Sequence, residues 1–242
     1  AIGDTPGWFD PASAEPAPTD FATRELNQYR WDSQVDFPFL FALRAELEAR
    51  AGGNPSWNTG VDYANQLDES INKDEVVALY SAAGLDLQAD LAKLANAPRI
   101  SASEKALAYL TKFIVFNGEI EPPVLTMHTT GDGLVLPQDE QAYSSVVGSQ
   151  DNSALLRTTF VHRAGHCAFT PGETVTAFQT LIHRLNTGSW GTTTQPSAMN
   201  GAAAALGAAF NPAGPSFIQF QPSVFMRPFD SRNLEKGGDR SD

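Results

Sequence analysis

The sequence predicts an α/β protein: a parallel sheet with helical crossovers, preceded by a helical subdomain. Two patterns carry this. Residues 122–186 alternate strand, helix, strand, helix, an order that builds a parallel sheet connected by helices. Residues 36–116 repeat apolar side chains at helical spacing, with no strand pattern between them. Composition supports a packed core beneath both, because 42% of the 242 residues are hydrophobic and only 18% are charged. The length suits one large domain or two small ones.

Residues 1–35 read as an extended N-terminal segment. Pro6, Pro11, Pro16 and Pro18 break any helix there, yet Trp8, Phe9, Phe21, Tyr29 and Trp31 are too many aromatics for a free tail. The segment is expected to lie over another surface. The helical subdomain is assigned to 36–118. Phe39, Leu40, Leu43 and Leu47 form a first stripe that stops at Gly52-Gly53. Asn58 and Thr59 are candidate caps for a helix carrying Val61, Ala64, Leu67 and Ile71. Asp74 opens another that ends near Gly84, and Asp86 caps 87–95, stopped by Pro98. Ser103 precedes a helix over 104–116, with Ala106, Leu107, Leu110, Phe113 and Ile114 on one side.

The α/β part is assigned to 119–187. After Pro122-Pro123, the run from Val124 to His128 fits a buried strand. Pro137 opens a helix to about 147, and 155–162 is a second strand. Thr170-Pro171-Gly172-Glu173 is a capping box with Pro at the first helical position, opening a helix to about 185. Residues 188–242 read as an irregular, Gly- and Pro-rich extension. Its aromatic patch from Phe217 to Phe229 suits an edge strand or hairpin, and its last dozen residues are expected to fray.

Charge and cysteine count exclude several functions. Lys and Arg number 16 against 28 Asp and Glu, and a net charge of -12 repels phosphate backbones, so no nucleic-acid partner is expected. No apolar run approaches the roughly 20 residues of a membrane span. The single Cys167 excludes an internal disulfide and a Cys-cluster zinc site. The four histidines lack metal-ligand spacing, so neither a metal nor an organic cofactor is implied.

Two loops carry the chemistry. His128-Thr129-Thr130-Gly131-Asp132-Gly133-Leu134-Val135 follows the first strand, and Arg163-Ala164-Gly165-His166-Cys167-Ala168-Phe169 follows the second. Catalytic groups of open parallel sheets collect beyond the carboxyl ends of the strands, where both loops lie. A carboxylate there fixes the tautomer of a facing imidazole, which then takes a proton from a nucleophile.

This order resembles the C-terminal portion of an α/β-hydrolase fold with an inserted helical lid. It looks most like the secreted bacterial esterase and peptidase-like branch. That family runs nucleophile, acid, histidine along the chain. Asp132 matches the acid and His166 the histidine, 34 residues apart. The resemblance spans 36–186 and makes 36–118 the lid. It implies hydrolysis of an ester or amide, and secretion. The G-x-S-x-G nucleophile elbow is missing, and Ser56 in Gly53-Asn54-Pro55-Ser56-Trp57 lacks its flanking glycines and strand. The serine is therefore expected in an N-terminal half lying before Ala1. That half is a separate chain cut from a common precursor, or the rest of a longer chain. Alternatively the protein is a non-catalytic binding or structural subunit on a hydrolase scaffold, or an acyltransferase using the same triad. Some feruloyl esterases and tannases join a Cys beside the serine to a Cys after the histidine. By that resemblance Cys167 is a candidate for a disulfide to the other half, a buried structural thiol being the alternative.

Simpler roles stand beside these. Gly131-Asp132-Gly133 is good turn chemistry in itself. His128 suits packing or a wall of the site, His162 a strand side chain, and His183 a helix surface. Asp139 and Glu140 suit the N-terminal charge of their helix. The aromatics of the helical part are mostly core, with Trp57 the first candidate for a substrate wall.

Overall fold

The computed structural model of the protein describes residues 16–17 and 19–225. The chain enters a helix earlier than the sequence pattern predicts. Helix α1, Phe21–Trp31, is capped by Asp20, whose carboxylate accepts the Thr23 N–H. For residues 21–35 this corrects the extended segment assigned to 1–35, whose first fifteen residues lie outside the described part: after Pro18, nothing from Asp20 to Asp36 opposes a helix. Trp31 is fully buried, and Arg24 reaches Glu75 at 3.0 Å. Trp8 and Phe9 lie outside the described residues. A π-helical turn, Asp32–Asp36, joins α1 to α2, Phe37–Ala51, without a break. Trp31 Nε1 ties it down by donating to Asp36 Oδ1 at 2.7 Å. Gly52, left-handed with φ 78°, ends α2 as the Gly52-Gly53 pair predicts.

Helix α3, Tyr63–Asp68, starts later than Asn58 or Thr59 would place it. Asp62 caps it, accepting the N–H groups of Ala64 and Asn65. Asn58 is engaged elsewhere: its backbone N–H donates to Ile100 O at 2.9 Å, and its Oδ1 accepts the Ile100 N–H at 2.6 Å. Helices α4, Lys73–Ala83, and α5, Leu87–Asn96, fall where the pattern places them, the latter capped by Asp86. Helix α6, Glu104–Phe113, is capped by Ser103 and stops three residues short of expectation, because Ile114 leaves helical geometry. Helix α6 packs on α2, α1 on α4 and α3 on α5.

The α/β part forms a small mixed sheet in the order β1-β2-β3. Strands β1, Val124–Gly131, and β2, Leu156–Ala164, are parallel, connected by helix α7, Gln138–Ser149. Helix α8, Pro171–Thr187, follows β2 with the predicted capping box. Neighbouring strand residues point to opposite faces. Thr126 donates to Glu140 of α7 at 2.7 Å, whereas Met127 packs in the core beside Val161, Met199 and Phe217. Helix α7 therefore covers one face, and α8 with α9 covers the other. Helix α9, Pro196–Ala205, corrects the irregular tail: Pro196 is at its first turn, and its alanines are strong helix formers. Strand β3, Phe217–Ile218, runs antiparallel to β2 as the expected edge strand. Met226, Phe229 and the final dozen residues lie outside the described part. Among the described residues, no helix is long and apolar enough to cross a membrane.

Candidate active site

The strand register brings the two loops together. Gly131 pairs with Ala164 at the carboxyl ends of β1 and β2, so Asp132 and His166 lie one and two residues beyond paired positions. Just before them the register slips: Thr129 pairs with Val161, so Thr130 alone spans His162 and Arg163. Such bulges bend a strand and re-aim the residues beyond the bend. Two bonds then join the loops directly. Gly165 N–H donates to Gly131 O at 3.0 Å, and Thr129 Oγ1 donates to Gly165 O at 2.5 Å.

Asp132 is buried, with 2% of its surface exposed. Its Oδ1 accepts the backbone N–H groups of Leu134 and Val135, both at 3.0 Å. Its Oδ2 lies 2.7 Å from His166 Nδ1. The His166 side chain keeps 38% exposure, so a buried carboxylate grips one nitrogen while the ring stays open to the surface. The Cys167 Sγ lies 3.6 Å from Nε2. Cys167 is free and exposed, with φ 54°, a left-handed conformation unusual for a residue with a side chain. The alternative of a buried structural thiol is therefore not what the structure shows. This geometry can take up a proton at Nε2 while the carboxylate stabilises the imidazolium formed.

A buried ion pair holds the histidine loop from beneath. Arg163 Nη1 and Nη2 donate to the two Glu173 oxygens at 2.7 and 3.1 Å, and Glu173 is wholly buried. The same guanidinium donates to Ala168 O, two residues past His166, and to Gly214 O before β3. Glu173 accepts the N–H groups of Thr170 and Ser216 as well. Strand end, loop, α8 and β3 are thus joined through one pair. From sequence, only the capping role of Glu173 is visible. Arg163 stands at the start of the histidine loop, but nothing local marks its long-range partner.

Two carboxyl groups outside the two loops are shifted by their surroundings. Burial raises the Asp36 carboxyl above its usual range, the Trp31 hydrogen bond opposes the rise, and Asp32 and Asp132 push it up further. Partial desolvation raises Asp139 in the same way, countered first by His128. His128 is buried with Nδ1 2.8 Å from Thr129 O, His162 Nδ1 lies 3.4 Å from Thr130 Oγ1, and His183 is exposed on α8. Trp57 is half-buried in the connection between α2 and α3, part of the helical unit and of neither loop.

No protein-family profile matches the chain, and no solved structure matches it. It is similar to a protein of Xanthobacter agilis named o-phthalyl amidase, with 39% identity over 160 residues. The match covers 65% of this chain and 35% of that protein, so the chain spans about a third of the relative's length. The similarity fits a hydrolase-like protein.

Proposed function

We propose that this chain supplies the acid and the base of a serine hydrolase that cleaves an amide or ester bond, the nucleophile lying in a separate N-terminal half. The observation that carries the reading is the bond between His166 Nδ1 and the buried Asp132. The likeness to a protein named for an amide supports an amide as substrate, ester cleavage being the same chemistry with another leaving group. In the reaction, Nε2 of His166 takes the serine proton as Oγ attacks the carbonyl carbon. Asp132 holds Nδ1–H and stabilises the imidazolium. The proton on Nε2 then passes to the departing nitrogen or oxygen. Water repeats the sequence on the acyl-enzyme and releases the acid.

The helical unit acts as the lid, with Trp57 among its apolar walls; this part of the reading rests on the resemblance. Two surfaces support an additional half: β1 pairs with no strand on its outer edge among the described residues, and α8 exposes Phe178, Ile182 and Leu185. Secretion and a disulfide from Cys167 to that half belong to the same reading, resting on the resemblance. Non-reducing electrophoresis checks the bridge, since a bridged assembly separates into two chains only after reduction.

The decisive experiment replaces His166 with Ala in the assembled protein and follows cleavage of an o-phthalyl amide. Turnover should fall by about 10⁴-fold or more with assembly intact. Unchanged turnover rejects the assignment. A serine-reactive covalent probe should label the other half; no labelling in the full assembly favours the binding subunit.

A further inference from the structure

The imidazole of His166 is aligned on Asp132, but its main chain is weakly anchored. Among the described residues, neither the N–H nor the C=O of His166 makes a close hydrogen bond. The peptide unit between Gly165 and His166 has one close bond among these residues, and a side chain supplies it. Thr129 Oγ1 donates to Gly165 O at 2.5 Å.

Gly165 depends on that bond. Its φ of 106° lies where glycine enters freely and other residues rarely do. A residue without a Cβ puts little steric limit on the peptide that follows it. The Gly165 N–H is already fixed, donating to Gly131 O at 3.0 Å. What stays free is rotation beyond its Cα, which swings the His166 main chain and the ring with it. The Thr129 hydroxyl stops this rotation. Thr129 and Gly131 belong to the strand that delivers Asp132, so one stretch of β1 locates both the acid and the imidazole.

Packing alone does not call for a hydroxyl at this position. Thr129 pairs with Val161 and lies on the same side of β1 as Met127, which packs against Val161, Met199 and Phe217. It is 1% exposed. A valine has nearly the same shape and no polar atom to satisfy in the interior. The oxygen that distinguishes threonine from valine is the one that meets Gly165 O.

We infer that Thr129 is a positioning residue for the histidine: its hydroxyl fixes the Gly165–His166 peptide and so holds Nδ1 against Asp132 Oδ2. It acts through His166 and has no part in the bond-making steps. The inference rests on the proposed Asp132–His166 chemistry and names the group that aligns it.

Thr129→Val in the proposed hydrolase assembly tests it, with Thr129→Ser as the conservative control. For cleavage of an o-phthalyl amide, Thr129→Val should lower kcat about 10- to 100-fold and leave KM within about twofold, the mark of a misplaced catalytic group. Thr129→Ser should return kcat to within about threefold of the parent. By proton NMR, the low-field resonance of His166 Nδ1–H should shift and broaden in the valine variant and be restored in the serine variant. A threonine that only fills space would lower the melting temperature without moving that resonance. A folded Thr129→Val with the parent's kcat, or with an unmoved Nδ1–H resonance, overturns the inference. If the valine variant does not fold, Thr129→Cys keeps a weaker donor in place and should show a smaller loss, again in kcat alone; parent kcat in folded Thr129→Cys overturns it equally. The two readings fail differently. Full turnover in His166→Ala removes the hydrolase reading, and the resonance still reports whether Thr129 aligns the ring. Loss of turnover in His166→Ala beside an unaffected Thr129→Val removes this inference alone.

Discussion

The Asp132 carboxylate is divided between two tasks: Oδ2 lies 2.7 Å from His166 Nδ1, while Oδ1 accepts the N–H groups of Leu134 and Val135 at 3.0 Å each. Asp132→Asn separates them. The asparagine oxygen must face the two backbone donors, which turns its NH₂ toward His166. Nδ1 then becomes an acceptor and the proton moves to Nε2, the wrong tautomer for a base. Turnover of the proposed hydrolase assembly should fall by about 10⁴-fold, with little change in melting temperature. Measuring kcat and melting on one preparation decides it; activity within tenfold of the parent rejects the proposed role.

The Arg163–Glu173 pair should be the most sensitive point in the α/β part. Both side chains are at least nine-tenths buried and bond bidentately. Removing either partner leaves an unpaired charge in the interior, so Glu173→Gln or Arg163→Met should each destabilise by about 3–5 kcal/mol in denaturant unfolding. The double replacement should cost less than the sum of the singles, because it leaves no orphan charge. Additive costs would show that the two residues act separately.

Gly118 marks the junction of the helical and α/β parts. Its φ is 82°, and an added Cβ would lie 2.3 Å from Val146 O, a backbone atom that cannot swing aside. Nearby, Phe116 packs edge-on to Tyr143 of α7, and Asn152 Nδ2 donates to Gly118 O. Gly118→Ala therefore combines a strained backbone with a steric clash and should destabilise by more than about 1 kcal/mol. A melting temperature at or above the parent's contradicts the close approach.

The sequence disclosed what local physics decides. Asp86, Ser103, Thr170 and the Gly52 and Gly84 stops all place helix ends where the chain puts them. Asp132 and His166 were legible because parallel strand order alone puts consecutive strand-end loops side by side. Helices α1 and α9 were hidden by neighbouring prolines and glycines, which dominate a composition-based reading even where Asp20 or Pro196 starts a helix. The Arg163–Glu173 pair depends on packing between distant segments, and no local periodicity encodes it.

Asp36 provides a test in pH. Its folded-state pKa is raised, chiefly by desolvation, above the ordinary aspartate value of 3.8. An acid with a raised folded pKa holds its proton more tightly in the native state, so ionisation opposes folding. Its stability contribution is present in full below the unfolded pKa and is lost as pH rises through the folded one. Asp36→Asn keeps an acceptor for Trp31 Nε1 and removes the ionisation. Relative to the parent, the variant should gain melting temperature at neutral pH, and the gain should shrink as pH falls toward 3.8. A difference independent of pH would assign the effect to packing instead.

The outer edge of β1 makes the last prediction. Natural sheets guard a free edge with lysines, prolines, bulges or a covering element. From Val124 to Gly131 β1 carries no charged residue and no proline, and Pro123 guards only its entry. On α8, Phe178, Ile182 and Leu185 recur at helical spacing and are 65%, 52% and 59% exposed. Burying side chains of this kind contributes about 1.5–3 kcal/mol each, enough to drive association once a strand supplies the backbone bonds. Expressed alone, the chain should therefore dimerise or aggregate, as read by light scattering behind size exclusion. Co-expression with the proposed nucleophile-bearing half should restore a single species, because a parallel strand on β1 and a face against α8 would satisfy both surfaces together. Ile182→Glu alone should reduce self-association only in part, since it leaves the strand edge open. A sharply melting, soluble monomer of the unpartnered chain would sink both the covered edge and the need for another half.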